Sequence, residues 1–487
     1  MTDLPVDATH AAFHRVTDWI EQYLADPGQY PVLSSATPGS IAAQLPASPP
    51  DAAEPIDAIL DDFERIILPG VTHWNHPGFF AYFAITGSAP GVMAEMLTAA
   101  LNVNAMLWKT SPAATELEQR ALDWLRQMLG LGPEWFGVIN DTASITTLLA
   151  LAAAREARSE LEIRQRGMAG RSDLPALRIY ASEHAHSSVD KAGITLGFGQ
   201  DNMVHVAVDD DFRLRPDALQ SAIAQDRARG HLPLAVVATV GTTSTGSVDP
   251  VPALTTICQR ENLWLHVDAS YAGSAAIVPE CRDTLAGVER ADSLVVNPHK
   301  WMFTPVDLSA MYTRRPDILK RAFSLVPDYL VTAEQGDVVN LMDYGVQLGR
   351  RFRALKLWMV IRAFGVTGIV ERLRAHMAMA REFADWVRAE PGWVLSASPM
   401  FSLVCFRFAP GGVADDEADM LNERVLAQVN ASGSVYLSHT RLNGRFVLRL
   451  AIGNVRTERS HVAQAWHLLR RAAGVVSRQP SSRPAGG

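Results

Sequence analysis

The sequence is poor in cysteine, poor in charge and without any long apolar run. Only three cysteines, Cys258, Cys281 and Cys405, are scattered through 487 residues. An odd and dispersed set gives no disulfide framework and points to a reducing compartment. No run of about 18 consecutive apolar residues occurs, so a transmembrane helix is not expected. The opening stretch, MTDLPVDATH, carries acids and no apolar core, which argues against a signal peptide. Positive charge is not in excess either: 44 Lys and Arg face 52 Asp and Glu, a net charge of −8. A nucleic-acid binder would need a concentrated basic face. Charged residues make up 20% of the chain, below the usual level of about 25%. The expectation is a soluble cytoplasmic protein with no nucleic-acid or membrane partner, and with part of its surface covered by another subunit.

What is present is apolar: 48% of the residues are hydrophobic, enough for a large core without a structural metal. Residues 10–25 (HAAFHRVTDWIEQYLA) and 56–68 (IDAILDDFERIIL) have helical apolar spacing. Each stops at a Pro-Gly pair, and a Pro-rich linker joins them. Two such helices cannot bury their apolar faces on each other alone. Beyond residue 90, short apolar runs alternate with helical segments: FGVI (136–139), LRIYA (177–181), LAVVATV (234–240), LWLHV (263–267) and SLVV (293–296). Runs without polar alternation predict strands buried on both faces, and alternation with helices predicts a mostly parallel sheet. Helices are expected from Arg351 and again over 366–389. FSLVCFRF (401–408) and GRFVLRLAI (444–452) predict strands of a smaller α+β region.

Ligands of parallel α/β sheets bind at the carboxyl ends of the strands. The five predicted strands are followed by Asn140-Asp141-Thr142-Ala143-Ser144, Ser182-Glu183-His184-Ala185-His186, Gly241-Thr242-Thr243, Asp268-Ala269-Ser270-Tyr271 and Asn297-Pro298-His299-Lys300-Trp301. Each group alone has an ordinary reading: a helix N-cap, a satisfied histidine, a turn, a structural carboxylate, a surface charge. Together on one rim they suit pyridoxal phosphate. Its phosphate favours a helix N-terminus with hydroxyls. Its aldehyde needs a lysine for a Schiff base. Its ring nitrogen needs a carboxylate to stay protonated, and its flat face can stack on the His186 imidazole.

The runs Asn297-Pro298-His299-Lys300-Trp301, His266-Val267-Asp268-Ala269-Ser270-Tyr271, Ala185-His186-Ser187-Ser188 and Pro69-Gly70-Val71-Thr72-His73-Trp74 resemble the aromatic-L-amino-acid decarboxylases. These are group II of the pyridoxal-phosphate-dependent decarboxylases. The resemblance extends to Leu348-Gly349-Arg350-Arg351-Phe352-Arg353. It implies an α/β fold of the fold-type I transferase kind, with a mostly parallel seven-stranded sheet and helices on both faces. Residues 1–88 would be an N-terminal arm embracing a partner subunit, 89–357 the large cofactor domain and 358–487 a small α+β domain. The implied assembly is a homodimer with the active site at the interface.

The same resemblance implies roles residue by residue. Lys300 would form the Schiff base, Asp268 would pair with the ring nitrogen, and His186 would stack on the ring. Ala143, Ser144, Thr243 and Asn297 would contact the phosphate or its surroundings. Trp74, Tyr82, Phe83, His299 and Gly349 would line the substrate pocket. Tyr329 matches the loop tyrosine that protonates Cα, with His299 as relay partner; related aldehyde synthases carry Phe there. The implied reaction is decarboxylation of an aromatic L-amino acid to its amine and CO2. An aldehyde synthase, a decarboxylase of acidic or imidazole substrates, and a silent dimeric scaffold are the alternatives. Ala84, Ile85, Asn104 and Met106 depart from the family pattern near the pocket, so the preferred ring is left open. No paired-cysteine or HExxH motif supports a metal site at His73, His76, His184 or His186.

Overall fold

A computed structural model describes residues 4–325 and 338–478. The main sheet has seven strands: β1 (Phe136–Asn140), β2 (Leu177–Ser182), β3 (Met203–Val206), β4 (Leu232–Thr239), β5 (Trp264–Asp268), β6 (Ser293–Val296) and β7 (Ser309–Thr313). Their spatial order is β1-β7-β6-β5-β4-β2-β3. The pairs from β3 through β2, β4 and β5 to β6 are parallel. β7 alone is antiparallel, to β1 on one side and β6 on the other. Six strands therefore point the same way and end on one edge. The five expected runs are all strands of this sheet.

Helices fill the connections. In chain order they are α1 (Val6–Ala25), α2 (Ile56–Asp62), α3 (Ala89–Leu101), α4 (Pro112–Leu129), α5 (Ala143–Glu156), α6 (Ile163–Arg166) and α7 (Ser188–Thr195). Then follow α8 (Pro216–Ala228), α9 (Val251–Glu261), α10 (Pro298–Trp301), α11 (Pro316–Phe323), α12 (Ala354–Ala389), α13 (Asp415–Asn430) and α14 (Arg459–Val476). α12 is interrupted at Gly365, whose φ of 62° and ψ of 168° are not helical. This agrees with the expected break between two helices after Phe364. The Ala/Leu-rich α5 buries Leu149, Ala150, Leu151 and Ala153 in a cluster with Val138, Ile179, Val237 and Met311 of the strands. Each such leucine taken from water contributes about 1.5–3 kcal/mol.

Of the described residues, 82–407 and 451–455 form one compact unit and the remainder a second. The first contains the main sheet, with β8 (Trp393–Leu395) neighbouring β9 (Leu403–Phe408). In the second, β10 (Ser438–Leu442) and β11 (Arg445–Ala451) make an antiparallel hairpin, and α13 packs on α14. Here too α1 meets the chain beyond α2: the Trp19 ring stands edge-on to Phe63 at 5.1 Å. Arg15 ties the same helices through Asp61 at 2.7 Å and Glu64 at 2.8 Å. The expected second helix ends early, as α2 gives way to a π-helical turn over Phe63–Ile67 before Pro69. Among the described residues, no helix is long and apolar enough to cross a membrane.

Candidate active site

Lys300 follows β6 directly, on the four-residue helix α10. Its Nζ donates to Ser270 Oγ at 3.1 Å. Ser270 in turn gives its backbone N–H to Asp268 Oδ1 at 3.1 Å, and its carbonyl accepts the N–H of Asn297 at 3.0 Å. One loop after β5 thus joins the lysine to the carboxylate. Asp268 is 4% exposed at the strand end. Burial pulls the Lys300 pKa below its ordinary value, with the Asp268 charge opposing. The lysine is accordingly easier to deprotonate, and a free amine is the form that attacks a carbonyl.

His186 lies in the turn from β2 into α7. Its Nδ1 accepts the Ser188 N–H at 3.1 Å, which places any ring proton of the neutral form on Nε2. Burial lowers its pKa, with Asp268 acting in the opposite sense. A neutral ring suits stacking on an electron-poor heterocycle. His299 is 4% exposed and its Nδ1 accepts the Leu308 N–H at 2.9 Å. Burial, aided by the Lys300 charge, pushes its pKa down to about 3. His299 can therefore offer a single Nε2–H donor and no positive charge.

Behind the lysine stands a wall of rings. Phe83 is parallel to Tyr271 at 3.7 Å, and Tyr271 to Trp301 at 5.0 Å. Lys300 Nζ sits 5.7 Å from the Phe83 centroid. Gly241 opens the loop after β4 with φ of 90°, and a Cβ there would stand 2.5 Å from that of Ala272. Only glycine lets the Thr242-Thr243 turn approach this closely. Thr243 is exposed on that turn. Ala143 and Ser144 occupy the first turn of α5, whose N-cap Thr142 makes no side-chain cap. Uncapped first-turn N–H groups at a helix N-terminus attract an anion.

Two buried polar atoms on this edge have no hydrogen-bond partner: Asn297 Oδ1 and Thr239 Oγ1. Asn297 is 1% exposed and directly precedes α10. Such atoms are costly unless a ligand or water meets them. A lysine, a carboxylate, a neutral imidazole, an uncapped helix start and unsatisfied polar groups together fit the functional groups of pyridoxal phosphate.

The remaining expected residues are placed differently. Tyr82 is 48% exposed with φ of 54°. Gly349 is exposed, and a Cβ built on it would stand 3.9 Å from Asn104 Nδ2. Asn104 is itself tied to the Arg350 N–H at 2.9 Å and to Met106 Sδ at 3.4 Å. Trp74 belongs to the second compact unit, where it stacks on Phe79 at 4.4 Å. Tyr329 lies outside the described residues. Ser270 had no role assigned from sequence, although it stands two residues after Asp268 in the quoted motif. Tyr271 was likewise unassigned; its stacking on residues remote in sequence has no periodic signal.

Comparison with known proteins adds four findings. The family model described as the pyridoxal-dependent decarboxylase conserved domain matches residues 38–409. Tyrosine decarboxylase 2 of Arabidopsis thaliana is 39% identical over 480 residues, covering 96% of this chain and 87% of that protein. Phenylacetaldehyde synthase of the same plant is 41% identical over 474 residues, covering 95% of each. The crystal structure of Oryza sativa TDC with PLP and tryptamine superposes with a TM-score of 0.93 at 38% identity, covering 98% of this chain and 99% of that one.

Proposed function

The chain belongs to the pyridoxal-dependent decarboxylases and is a carboxy-lyase of aromatic L-amino acids, and on that premise we propose how its own residues divide the work. The observation that carries this reading is the Lys300–Ser270–Asp268 arrangement at the ends of β5 and β6. Lys300, easily deprotonated, is the residue that holds the cofactor covalently and later recovers it. When bound, pyridoxal phosphate supplies a conjugated ring that takes up the electron pair left on Cα as CO2 departs. Asp268 would face the ring nitrogen, and the neutral His186 ring would stack on the ring face. Ala143, Ser144, Thr243 and Asn297 hold the phosphate end. The Phe83 wall keeps water from the reacting carbon, and the Nε2–H of His299 orients a polar group of the substrate.

Tyr329 is our assigned proton donor to Cα. A phenol with a pKa near about 10 can protonate a strongly basic carbon. Its presence favours amine over aldehyde, although one relative is a phenylacetaldehyde synthase. Trp74, Tyr82, Phe83 and Gly349 are assigned to the side-chain pocket.

We assign the chain to a cytoplasmic homodimer with its active site at the interface. An apolar stripe on α3 supports this: Met93, Met96, Leu97 and Leu101 are 38–59% exposed at helical spacing. Sedimentation should give a two-chain mass. A fully active species of one-chain mass would refute the assembly.

The decisive test of the chemistry is Lys300→Ala. The parent enzyme, incubated with tyrosine, tryptophan, phenylalanine, DOPA and histidine in turn, should release amine and CO2 from at least one aromatic member. The variant should release neither and should lose the visible band of lysine-linked cofactor. Full turnover in the variant would sink the assignment.

A further inference from the structure

α10 is only one turn long, and a helix so short has no stability of its own. The residues on either side of Lys300 anchor it through ring nitrogens. On one side His299 Nδ1 takes the Leu308 N–H. On the other, Trp301 Nε1 donates to Nδ1 of His376 at 3.0 Å. His376 comes from the middle of α12, is 2% exposed, and meets the backbone of Asn454 through a second hydrogen bond. Its ring lies 12° from parallel to the Trp301 indole and edge-on to Phe303 at 5.8 Å. Trp301 is fully buried and stacks on Tyr271. The stack Phe83–Tyr271–Trp301 is therefore clamped at its far end by one imidazole. That imidazole fixes the indole adjoining the lysine.

We propose that His376 is a positioning residue: by accepting the Trp301 N–H it locks the turn that carries Lys300 and keeps Nζ in register with Ser270 and Asp268. It touches neither lysine nor substrate and acts through Trp301. The inference rests on Lys300 being the cofactor-linking residue. A loosened turn would leave the amine misplaced for much of the time. Condensation of the Lys300 amine with the cofactor aldehyde, which forms C=N and releases water, would slow, as would turnover. Affinity for the amino acid would change little.

The test uses full-length enzyme and reads two quantities: the rate at which added pyridoxal phosphate becomes lysine-linked, followed by absorbance, and steady-state kinetics. His376→Leu removes the acceptor at similar volume. It should slow linkage and lower kcat about tenfold, as loss of one buried positioning bond does, with KM changed less than about twofold. His376→Gln restores an acceptor and a donor and should recover most of both rates. Trp301→Phe removes the same bond from the other side while keeping a ring in the stack, so it decides the matter even if His376→Leu does not fold. It should match His376→Leu, and the double variant should be no worse than Trp301→Phe alone. Parent-like linkage and kcat in Trp301→Phe, or losses that multiply in the double variant, would overturn the proposal. An inactive parent, or a visible band that survives Lys300→Ala, would instead refute the assignment of Lys300.

Discussion

Asn297 shows how much a single amide can decide. Its carbonyl oxygen is buried without a partner, and its backbone carbonyl already accepts the Lys300 N–H at 2.9 Å. A half-turn of the amide would present its N–H2 group in place of the oxygen. In that orientation the amide has a donor to offer the phosphate end of the cofactor. Asn297→Ala should keep the fold and weaken cofactor binding by about tenfold, the effect of one hydrogen bond to a charged group. Titrating the cofactor-free protein by absorbance measures this. An unchanged dissociation constant would mean that the Asn297 side chain does not meet the cofactor.

At the scale of elements, the edge of the sheet that carries the site is braced by a buried ion pair. Arg350 donates to Glu118 of α4 at 2.6 Å and to the Ile139 carbonyl of β1 at 3.0 Å. Glu118 Oε1 also accepts the Ile139 N–H at 2.8 Å. Both side chains are almost fully buried, so removing one strands the other. Glu118→Ala should therefore cost about 3–5 kcal/mol, seen as a fall of several degrees in the thermal midpoint. A shift under one degree would show that water or another group neutralises Arg350. Arg350 and Arg353 of the Leu348–Arg353 motif read here as architecture, since Arg353 likewise pairs with Asp307 at 2.9 Å. Sequence made the parallel strands legible because burial on both faces leaves unbroken apolar runs, and the residues after them form the candidate site. β3 and β7 carry no such run: MVHV, at the sheet edge, is only four residues long and broken by His205, and SAMYT has polar ends. The break in α12 was readable because Phe364-Gly365 interrupts the helical pattern. The Trp301–His376 bond was not, because it joins residues 75 apart that only tertiary folding brings together.

For the whole molecule, a chain with so little charge keeps several ionisable groups inside, and their titration sets its tolerance of acid. Burial pushes His76 and His376 down to about 4 and His299 to about 3. It also holds His266 well below its ordinary value. These rings stay neutral in the fold, while in an unfolded chain each binds a proton near pH 6.5. As pH falls below 6.5 the unfolded chain gains protons that the fold refuses. Each histidine then removes up to roughly 1.4 kcal/mol of stability per pH unit until its folded pKa is reached. Asp249 works the other way. Buried and accepting the Leu214 and Thr239 N–H groups at 2.7 Å each, its carboxyl is pushed up to about 6. Between about 6 and 3.8 the fold therefore holds a proton that the unfolded chain lacks, which is stabilising. Four histidines outweigh one carboxyl, so the thermal midpoint should be highest at pH 6.5–7.5 and fall steadily toward pH 4.5. His76→Gln should be less stable than the parent at pH 7.5 and lose less on acidification. A parent midpoint that stays level from pH 7.5 to 5 would show that these rings take up protons inside the fold.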